Sequence, residues 1–500
     1  MFLFILLFFA AATLCFAYIS GRYNENYWKK RNVAFASKHK VLGVFYDFAF
    51  NKKPVFENIY EIYKEHRNEP VVGIGALLTP SLCLIDPTNM QYVLATDFSS
   101  FNHRGLDTNE SDLLADNILF MTGNRWKLMR QSMSPLFTSS KLKSMYYIVD
   151  KSATDFVEHL KTNRELLKGD GFNTLSSFCS AAIGAAVFGV STGSIFESPF
   201  LEMARKATKA TVPNSFKIAI GNLSNRLFNL LDLKLFSKYE PFFIAAIKNI
   251  IRKREQEKTK RHDFADICVA LQSAGNIVDK ETGLELKPSD EILSAQAFFF
   301  FIAGVEPTAQ ALFATLVELG RHPEYLEKVQ NEIDEAFKMH DNKMDYDIVM
   351  NMKYIDMVIS EALRMHPPVG FITRRCIKDT ILPVGNVKVE KGTRIMTPIF
   401  AVHHDEKFYP EPEKFIPERF APENKHKIMD IAYMPFGKGN RICIGNRYAL
   451  VQAKAGLVHL LRNFNVRTII TNNGPNYIAH PAQVRFCDVD IEFIPRSIPN

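Results

Sequence analysis

One segment constrains the fold of this chain more than any other, because it is too apolar to form a surface helix. Residues 289–320 read SDEILSAQAFFFFIAGVEPTAQALFATLVELG. The sequence predicts a helix that begins at Ser289 or Asp290 and ends near Gly320, ahead of a proline. A helix that is hydrophobic nearly all round is normally buried. We therefore predict that this helix passes through the centre of a large folded domain.

The remaining sequence predicts a mainly α fold with a small β region. A second helix, about residues 354–365, should end before the two prolines at 367 and 368, because proline cannot donate a backbone hydrogen bond. Short alternating pieces at 387–389 and 394–396, bounded by glycine and proline, indicate strands. The chain has 500 residues and contains no internal repeat or low-complexity tract. One large domain over residues 40–500 is the simplest organisation.

The amino terminus carries an uncharged apolar run at residues 2–19, nearly long enough to cross a bilayer core. Three basic residues at 29–31 follow the run instead of preceding it, which favours a retained membrane anchor with the body in the cytosol. A cleaved signal peptide is the alternative. We predict an anchor at 1–20 and a basic linker at 21–39, and residues 32–45 contain no proline.

Charge and cysteine content exclude several classes of protein. The formal net charge is +7, and the basic residues are dispersed, so nucleic-acid binding is not favoured. The seven cysteines lack the close spacings of a disulfide framework or a zinc site. They fit a reducing compartment with one or two functional thiols.

The sharpest motif is FGKGNRICIG at residues 436–445, directly before an apolar, helix-like stretch. Glycines let the backbone turn tightly and approach a flat ligand, and Arg441 can meet a carboxylate. Amides at the start of the following helix can stabilise a thiolate at Cys443. The motif resembles the haem-binding loop of the cytochrome P-450 family, Phe-x-x-Gly-x-Arg-x-Cys-x-Gly, at every defined position. A cysteine that merely packs in the core is the alternative.

This resemblance implies a P-450 fold and a haem b cofactor whose iron is bound by Cys443. It implies that the loop residues Phe436, Gly437 and Gly445 lie against the haem. The motif WKLMR matches the family's Trp-x-x-x-Arg. The residues expected to hold the haem propionates are Trp126, Arg130, Arg374 and Arg441. Solvated surface arginines are the alternative for Arg130 and Arg374.

The segment SEALR matches the family's Glu-x-x-Arg. Glu361 and Arg364 lie three residues apart and can pair on one helix face. Together with Arg419 of the sequence PERF, they imply a buried ion network beside the haem. Glu-x-x-Arg by itself is often only a surface pair.

Residues 303–308, AGVEPT, resemble the family's oxygen-binding stretch but depart from it. The usual threonine is replaced by Pro307, and Thr308 lies about 100° further round the helix. Proline frees the carbonyl oxygen four residues earlier and kinks the helix. Our hypothesis is that a water there, with the carboxylate of Glu306, replaces the missing hydroxyl, and that Ala303 and Gly304 lie against the haem. A tolerated kink with ordinary water is the alternative.

Apolar residues at positions that line the substrate cavity in the family imply a lipophilic substrate. These residues are Phe120, Phe301, Val369, Phe371 and Ile372. Phe298 and Phe299 are predicted to pack in the core, because adjacent residues on a helix cannot all face one cavity.

The resemblance implies a monooxygenase that inserts one oxygen atom from O2 into a lipophilic substrate. It implies electrons from NADPH through a reductase of the endoplasmic reticulum, with cytochrome b5 as a further partner. Basic residues Lys127, Lys438 and Lys454 are the predicted docking points. The chain resembles insect microsomal members that oxidise xenobiotics, insecticides and plant toxins. Two alternatives are an enzyme that rearranges peroxides or dehydrates substrates without external electrons, and a non-catalytic haem or ligand carrier.

Overall fold

The computed structural model describes residues 2–189, 202–203, 206–207, 217, 220, 225–257, 261, 263–472 and 476–497. The α-helices are Phe2–Lys29, Tyr46–Ala49, Val55–Glu65, Pro87–Gln91, Phe98–Phe101, Gly123–Met133, Ser139–Thr162, Gly171–Phe188, Asn225–Leu230, Glu240–Gln256, Phe264–Ala274, Asp290–Arg321, Pro323–Met339, Tyr346–Asn351, Lys353–Met365, Ile399–His403 and Asn446–Asn463. The strands are Val71–Ala76, Thr79–Leu84, Ile277–Val278, Glu285–Leu286, Ile372–Arg375, Thr380–Ile381, Lys388–Val389, Arg394–Thr397, Phe464–Ile470, Asn476–Tyr477, Phe486–Cys487 and Val489–Pro495. The predicted mainly α architecture with a small β region is confirmed.

The central helix, Asp290–Arg321, lies where the sequence predicted it. Ser289 caps it by accepting a hydrogen bond from the backbone N–H of Ile292 at 3.4 Å. Most of its residues are buried, and it packs chiefly against the apolar helix Gly171–Phe188. The helix remains continuous across Pro307. It forms the axis of the larger of two hydrophobic cores.

The second core surrounds a four-stranded sheet. The strand order is Val71–Ala76, Thr79–Leu84, Arg394–Thr397 and Ile372–Arg375, with a parallel pair in the middle and antiparallel pairs outside. Arg374 pairs with Ile395 in this register. The last strand of the sheet therefore carries a predicted cofactor residue.

Within the described residues, two helices are long and apolar enough to cross a membrane, Gly171–Phe188 and Asp290–Arg321. Both are mostly buried inside the protein. Their apolar character is therefore explained by core packing.

The amino-terminal helix Phe2–Lys29 extends beyond the predicted anchor and joins the sheet. Trp28 is fully buried and donates from its indole N–H to the carbonyl of Ile74 at 3.1 Å. A Cβ atom at Gly73 would lie 2.3 Å from the Trp28 ring, so only glycine permits this approach. The first part of the segment predicted as a basic linker, 21–39, therefore belongs to this docked helix.

Candidate cofactor site

The cysteine loop, residues 436–445, is closed by a backbone hydrogen bond of 2.9 Å from the N–H of Cys443 to the carbonyl of Phe436. Gly437 and Gly439 both have positive φ angles, +76° and +69°. A Cβ atom at Gly439 would lie 2.0 Å from the carbonyl oxygen of Leu94, so the tight turn requires glycine there. Gly445 caps the helix that follows.

The thiol of Cys443 is solvent-accessible, although the loop around it is tightly packed. Burial by surrounding protein raises the pKa of this thiol, whereas the backbone N–H of Gly445 and the cations Arg104 and Arg130 oppose that rise. A metal ion bound at the sulfur would hold it deprotonated. Of the remaining cysteines, Cys15 is exposed and Cys487 is partly exposed, and the others are buried.

Arg441 is buried and serves three segments of backbone. It donates to the carbonyls of Asn102 at 2.9 Å, Ile118 at 3.2 Å and Met121 at 2.8 Å. Its guanidinium carbon lies 4.1 Å from the centre of the Trp126 ring. Such a cation–π contact fixes the plane of both groups. Trp126 and Arg441, both predicted from sequence, are thus brought together.

Three more arginines lie beside the cysteine loop. Arg130 donates to the carbonyl of Ile442 at 2.9 Å, and Arg104 donates to the carbonyl of Arg441 at 2.8 Å. Arg374 is 2% exposed and donates to the carbonyl of Thr373 at 2.9 Å. The four arginines around the cysteine loop, Arg104, Arg130, Arg374 and Arg441, are called the arginine cluster below.

The arginine cluster holds more positive charge than a dry site tolerates without anions. Burial and the neighbouring cations Arg104, Arg374 and Arg130 lower the pKa of Arg441 to about 8. Burial, followed by Arg104, lowers the pKa of Arg374 to about 9. Among the described residues, the Nε atoms of Arg104 and Arg374 have no hydrogen-bond partner. Buried cationic donors without acceptors call for anionic oxygens. These residues therefore fit a group with carboxylates, such as the two propionates of haem.

Arg104 was missed by the sequence analysis. It lies in the irregular segment after helix Phe98–Phe101, far in sequence from every motif. Burial lowers its pKa to about 10, with Arg130 adding to the effect and the Cys443 sulfur opposing it. Only its place in the fold reveals this role, since an isolated arginine in a loop carries no spacing signal.

The predicted ion network forms a buried group. Arg364 donates to Glu361 through Nε at 2.8 Å and through Nη2 at 2.9 Å, and both residues are fully buried. Arg419 adds a contact of 3.2 Å to Glu361. Arg364 also donates to the carbonyls of His403 and Pro412, each at 2.8 Å. Each nitrogen of the guanidinium thus donates at least one hydrogen bond, and such additional hydrogen bonds make a buried ion pair tolerable.

His403 connects this network to the cysteine loop and was not predicted. Its Nδ1 lies 3.0 Å from the carbonyl oxygen of Arg364, so Nδ1 carries the proton. Its Nε2 accepts from the N–H of Met434 at 3.1 Å, and the carbonyl of Met434 binds the N–H of Gly437 at 3.0 Å. Burial and the Arg364 guanidinium lower the pKa of His403 to about 3. The neutral ring is therefore the form that supports the loop.

His403 is expected to make stability depend on pH. An unfolded histidine has a pKa of about 6.5, so below that pH the unfolded chain binds a proton that the folded chain excludes. The contribution of His403 is complete above pH 6.5 and is lost as the pH falls toward about 3. We expect His403→Gln, which cannot titrate, to reduce the slope of unfolding free energy between pH 6.5 and 5 by about 1.4 kcal/mol per pH unit. Thermal unfolding of the full chain measures it.

The exposed histidine His426 provides the matched control, because its side chain is outside the network. His426→Gln should leave the slope within about 0.3 kcal/mol per pH unit of wild type. Equal slopes for wild type and His403→Gln would contradict a neutral, buried His403.

The accessible face of the central helix is a single stripe. Between Phe298 and Thr308, the residues that are not fully buried are Phe299, Ile302, Ala303, Gly304, Glu306 and Pro307. All of these except Gly304 follow the 3.6-residue period of one helical face. The side-chain amide of Gln483 donates to Glu306 Oε2 at 3.1 Å. The residues of the departing motif, Ala303, Glu306 and Pro307, thus share one face.

Two further residues of the departing motif are Thr308 and Gly304. Thr308 is 5% exposed and lies off the accessible stripe, so it is not placed to replace the missing hydroxyl, in agreement with its position about 100° further round the helix. Gly304 packs against helix Gly171–Phe188, since a Cβ atom there would lie 2.9 Å from Ile183 Cγ1. Its small size serves the contact between two helices.

The predicted pocket residues divide into two groups. Phe120, Val369 and Ile372 are partly exposed, and Ile372 Cδ1 lies 3.8 Å from the Cβ position of Gly437 in the cysteine loop. Phe301 is instead fully buried, with its ring 5.2 Å from that of Phe188.

Phe371 is also buried, in the core around the sheet. Phe371 and Phe301 are therefore core residues, contrary to the prediction. Phe298 is fully buried as expected, but Phe299 is partly exposed on the accessible stripe. The phenylalanine on the open side of the helix is therefore Phe299 and not Phe301, which lies two positions later and about 200° round the helix.

One predicted docking lysine is excluded by burial. Lys454 is fully buried and donates to the carbonyls of Met350 and Met352 at 2.9 and 3.2 Å. Lys127 and Lys438 are accessible, and each is paired with a carboxylate: Glu281 at 2.6 Å and Asp430 at 2.5 Å.

Comparison with known proteins places this site in a family. A family profile described as cytochrome P450 matches residues 35–483. Cytochrome P450 9e2 of Blattella germanica is 34% identical over 483 residues, covering 91% of this chain and 90% of the relative. Cytochrome P450 6B7 of Helicoverpa armigera is 31% identical, covering 95% of each protein. Probable cytochrome P450 6d4 of Drosophila melanogaster is 31% identical, covering 94% of each. The chain therefore belongs to the cytochrome P-450 family of monooxygenases.

Proposed function

We propose that this chain is a microsomal haem-thiolate monooxygenase of lipophilic foreign compounds. The observation that carries the proposal is the arginine cluster, four cations that pair with no carboxylate among the described residues, beside an accessible cysteine thiol. When bound, haem b with a thiolate ligand would supply the activation of O2 and the insertion of one oxygen atom, using two electrons from outside. Cys443 would bind its iron. Trp126 and the arginine cluster would hold its propionates.

The accessible stripe of the central helix would form one wall of the reaction chamber. Pro307 has no N–H for the carbonyl of Ala303, so that oxygen can accept a hydrogen bond from water. The Glu306 carboxylate lies on the same stripe and is oriented by Gln483. We assign proton supply to water held between these two acceptors, in place of the hydroxyl that Pro307 removes.

Substitution of Pro307 tests this proton path. Pro307→Ala restores the backbone hydrogen bond to Ala303 and supplies no hydroxyl, so we expect the ratio of released peroxide to product to rise about tenfold. Pro307→Thr supplies a hydroxyl and should return the ratio toward wild type. Peroxide and product are measured together in reconstituted enzyme. Unchanged ratios for both variants, across several substrates, would favour a proline that is merely tolerated.

The electron donor that we propose is NADPH–cytochrome reductase of the endoplasmic reticulum, with cytochrome b5 as a second partner. The apolar helix Phe2–Lys29 would anchor the chain, leaving the catalytic body in the cytosol. Lys127 and Lys438 remain candidates for docking the reductase, because both are accessible. Lys454 is not a candidate for docking the reductase, because its side chain is buried.

Lipophilic substrates are supported by the chemistry of the accessible residues. Phe120, Phe299, Ile302, Val369 and Ile372 offer apolar surface that is not consumed by core packing. The resemblance to insect microsomal enzymes points to insecticides and plant toxins as substrates. An enzyme that needs no external electrons, or a carrier, is the alternative raised by Pro307.

Product formation by membranes that contain this chain and its reductase separates these functions. We expect NADPH-dependent oxygenated products from a panel of lipophilic insecticides and plant toxins, and none with Cys443→Ala. Product without NADPH would indicate the electron-independent enzyme. Ligand-induced changes in the haem spectrum without any product would indicate the carrier.

A further inference from the structure

A buried carboxylate lies next to the arginine cluster but is not paired with it. The side chain of Asp107 is 8% exposed. Its Oδ1 accepts from Arg375 Nη1 at 2.7 Å, and its Oδ2 accepts from Arg375 Nη2. This two-point pairing fixes the plane of both groups. His103 Nε2 lies 3.8 Å from Oδ1.

Arg375 follows Arg374 on one strand, so their side chains point to opposite faces. Arg374 joins the arginine cluster, whereas Arg375 reaches Asp107. The strand thus directs two adjacent cations to opposite faces, and of the two only Arg375 pairs with a carboxylate among the described residues. Asp107 would neutralise Arg375 and leave the haem propionates to Arg374 and its neighbours.

The segment that carries Arg104 is fastened to this strand on both sides. The N–H of Arg375 donates to the carbonyl of His103 at 2.8 Å. The hydroxyl of Thr373 donates to the carbonyl of Arg104 at 2.6 Å. Three residues after Arg104, the ion pair between Asp107 and Arg375 provides the third attachment of this segment to the strand. Arg104 therefore projects from a loop held at three points.

We propose that Asp107, acting through Arg375, is a positioning residue that holds Arg104 in the orientation needed to bind a haem propionate. The inference rests on the proposed function, because it concerns the cofactor of that site. Among the described residues, the side chain of Asp107 contacts Arg375 and His103 and no member of the arginine cluster. Its effect should accordingly be transmitted by Arg104.

A double-mutant cycle tests the proposal. The variants are Asp107→Asn, Arg104→Gln and their combination, all in the full-length holoenzyme. The measured quantity is the rate of haem transfer from the enzyme to excess apomyoglobin. We expect Asp107→Asn to accelerate haem loss about tenfold, the equivalent of about 1.4 kcal/mol, as one charge-assisted bond weakens. We expect no further acceleration when Arg104 is already Gln. Asp107→Glu, which keeps the charge, should retain haem nearly as well as wild type.

Asp334→Asn is the matched control, because Asp334 is also a largely buried carboxylate paired with arginine, with its side chain 14% exposed. It contacts Arg462 at 2.5 Å and Arg496 at 2.6 Å. This variant should unfold at lower temperature but lose haem within about twofold of the wild-type rate. If Asp107→Asn yields no folded holoenzyme, Arg375→Lys replaces it in the same cycle, since lysine keeps the charge and loses the two-point geometry.

Equal acceleration by Asp107→Asn in the presence and absence of Arg104 would overturn the proposal, and so would unchanged haem loss. A wild-type chain that takes up no haem would instead overturn the proposed function. Haem uptake by the wild-type chain with additive effects in the cycle would overturn this inference alone.

Discussion

Replacement of Arg364 by alanine is expected to lower the free energy of unfolding by about 3–5 kcal/mol and to leave the chain without bound haem. Glu361 would remain fully buried after losing both hydrogen bonds from the guanidinium. The carbonyl of His403 would lose its donor as well. Because His403 supports Met434, the damage should reach the cysteine loop. Thermal unfolding and haem content of the purified variant measure both effects.

Arg419→Ala is the graded comparison for this prediction. Arg419 makes one contact of 3.2 Å to Glu361 and is 12% exposed, so its loss leaves the Glu361–Arg364 pair intact. We expect a loss of about 1–2 kcal/mol with haem retained. Equal losses for the two variants would contradict the central position of Arg364.

Replacement of Arg441 by alanine is expected to abolish haem retention. Three buried carbonyl oxygens lose their donor, and each unsatisfied group costs about 1–3 kcal/mol. The Trp126 ring also loses its cation. Arg441→Lys keeps a positive charge, but one ammonium group cannot reproduce the fork that serves three carbonyls. We therefore expect it to retain haem only partially. Haem per protein after gel filtration gives the measurement.

Arg447 is the control for Arg441, since it is exposed and lies four residues after Cys443. Arg447→Ala should change stability by no more than about 0.5 kcal/mol and keep its haem. Full haem content in Arg441→Ala would refute the role that we assign to the arginine cluster.

The sequence correctly predicted the elements and motifs that depend on interactions between residues close together in the chain. The central helix begins at Asp290 because Ser289 caps it, and the helix Lys353–Met365 ends before two prolines. The Glu361–Arg364 contact follows from helical spacing. Each of these features depends on residues within a few positions of one another.

Features that depend on distant contacts could not be predicted in this way. Arg104 acquires its role only when the chain folds it against Arg441, 337 positions away. His403 depends on Met434 and Arg364, which lie 31 and 39 positions away and in separate elements. Phe301 was misassigned because the apolar run 298–301 does not reveal which face of the helix is covered by neighbouring helices. Lys454 was misassigned for a related reason. Lysines are rarely buried, and the sequence does not show the distant backbone carbonyl that accepts a hydrogen bond from this one.

The central claim is that the thiolate of Cys443 binds haem iron at this site. The most direct test is the absorption spectrum of the reduced, carbon monoxide-treated full-length protein, compared for wild type, Cys443→Ser and Cys487→Ser. Cys487 is a partly exposed thiol on the strand Phe486–Cys487, outside the cysteine loop, and serves as the control. We expect the red-shifted band of thiolate-ligated haem in wild type and Cys487→Ser, and its loss in Cys443→Ser. Persistence of that band in Cys443→Ser would contradict the assignment of the ligand.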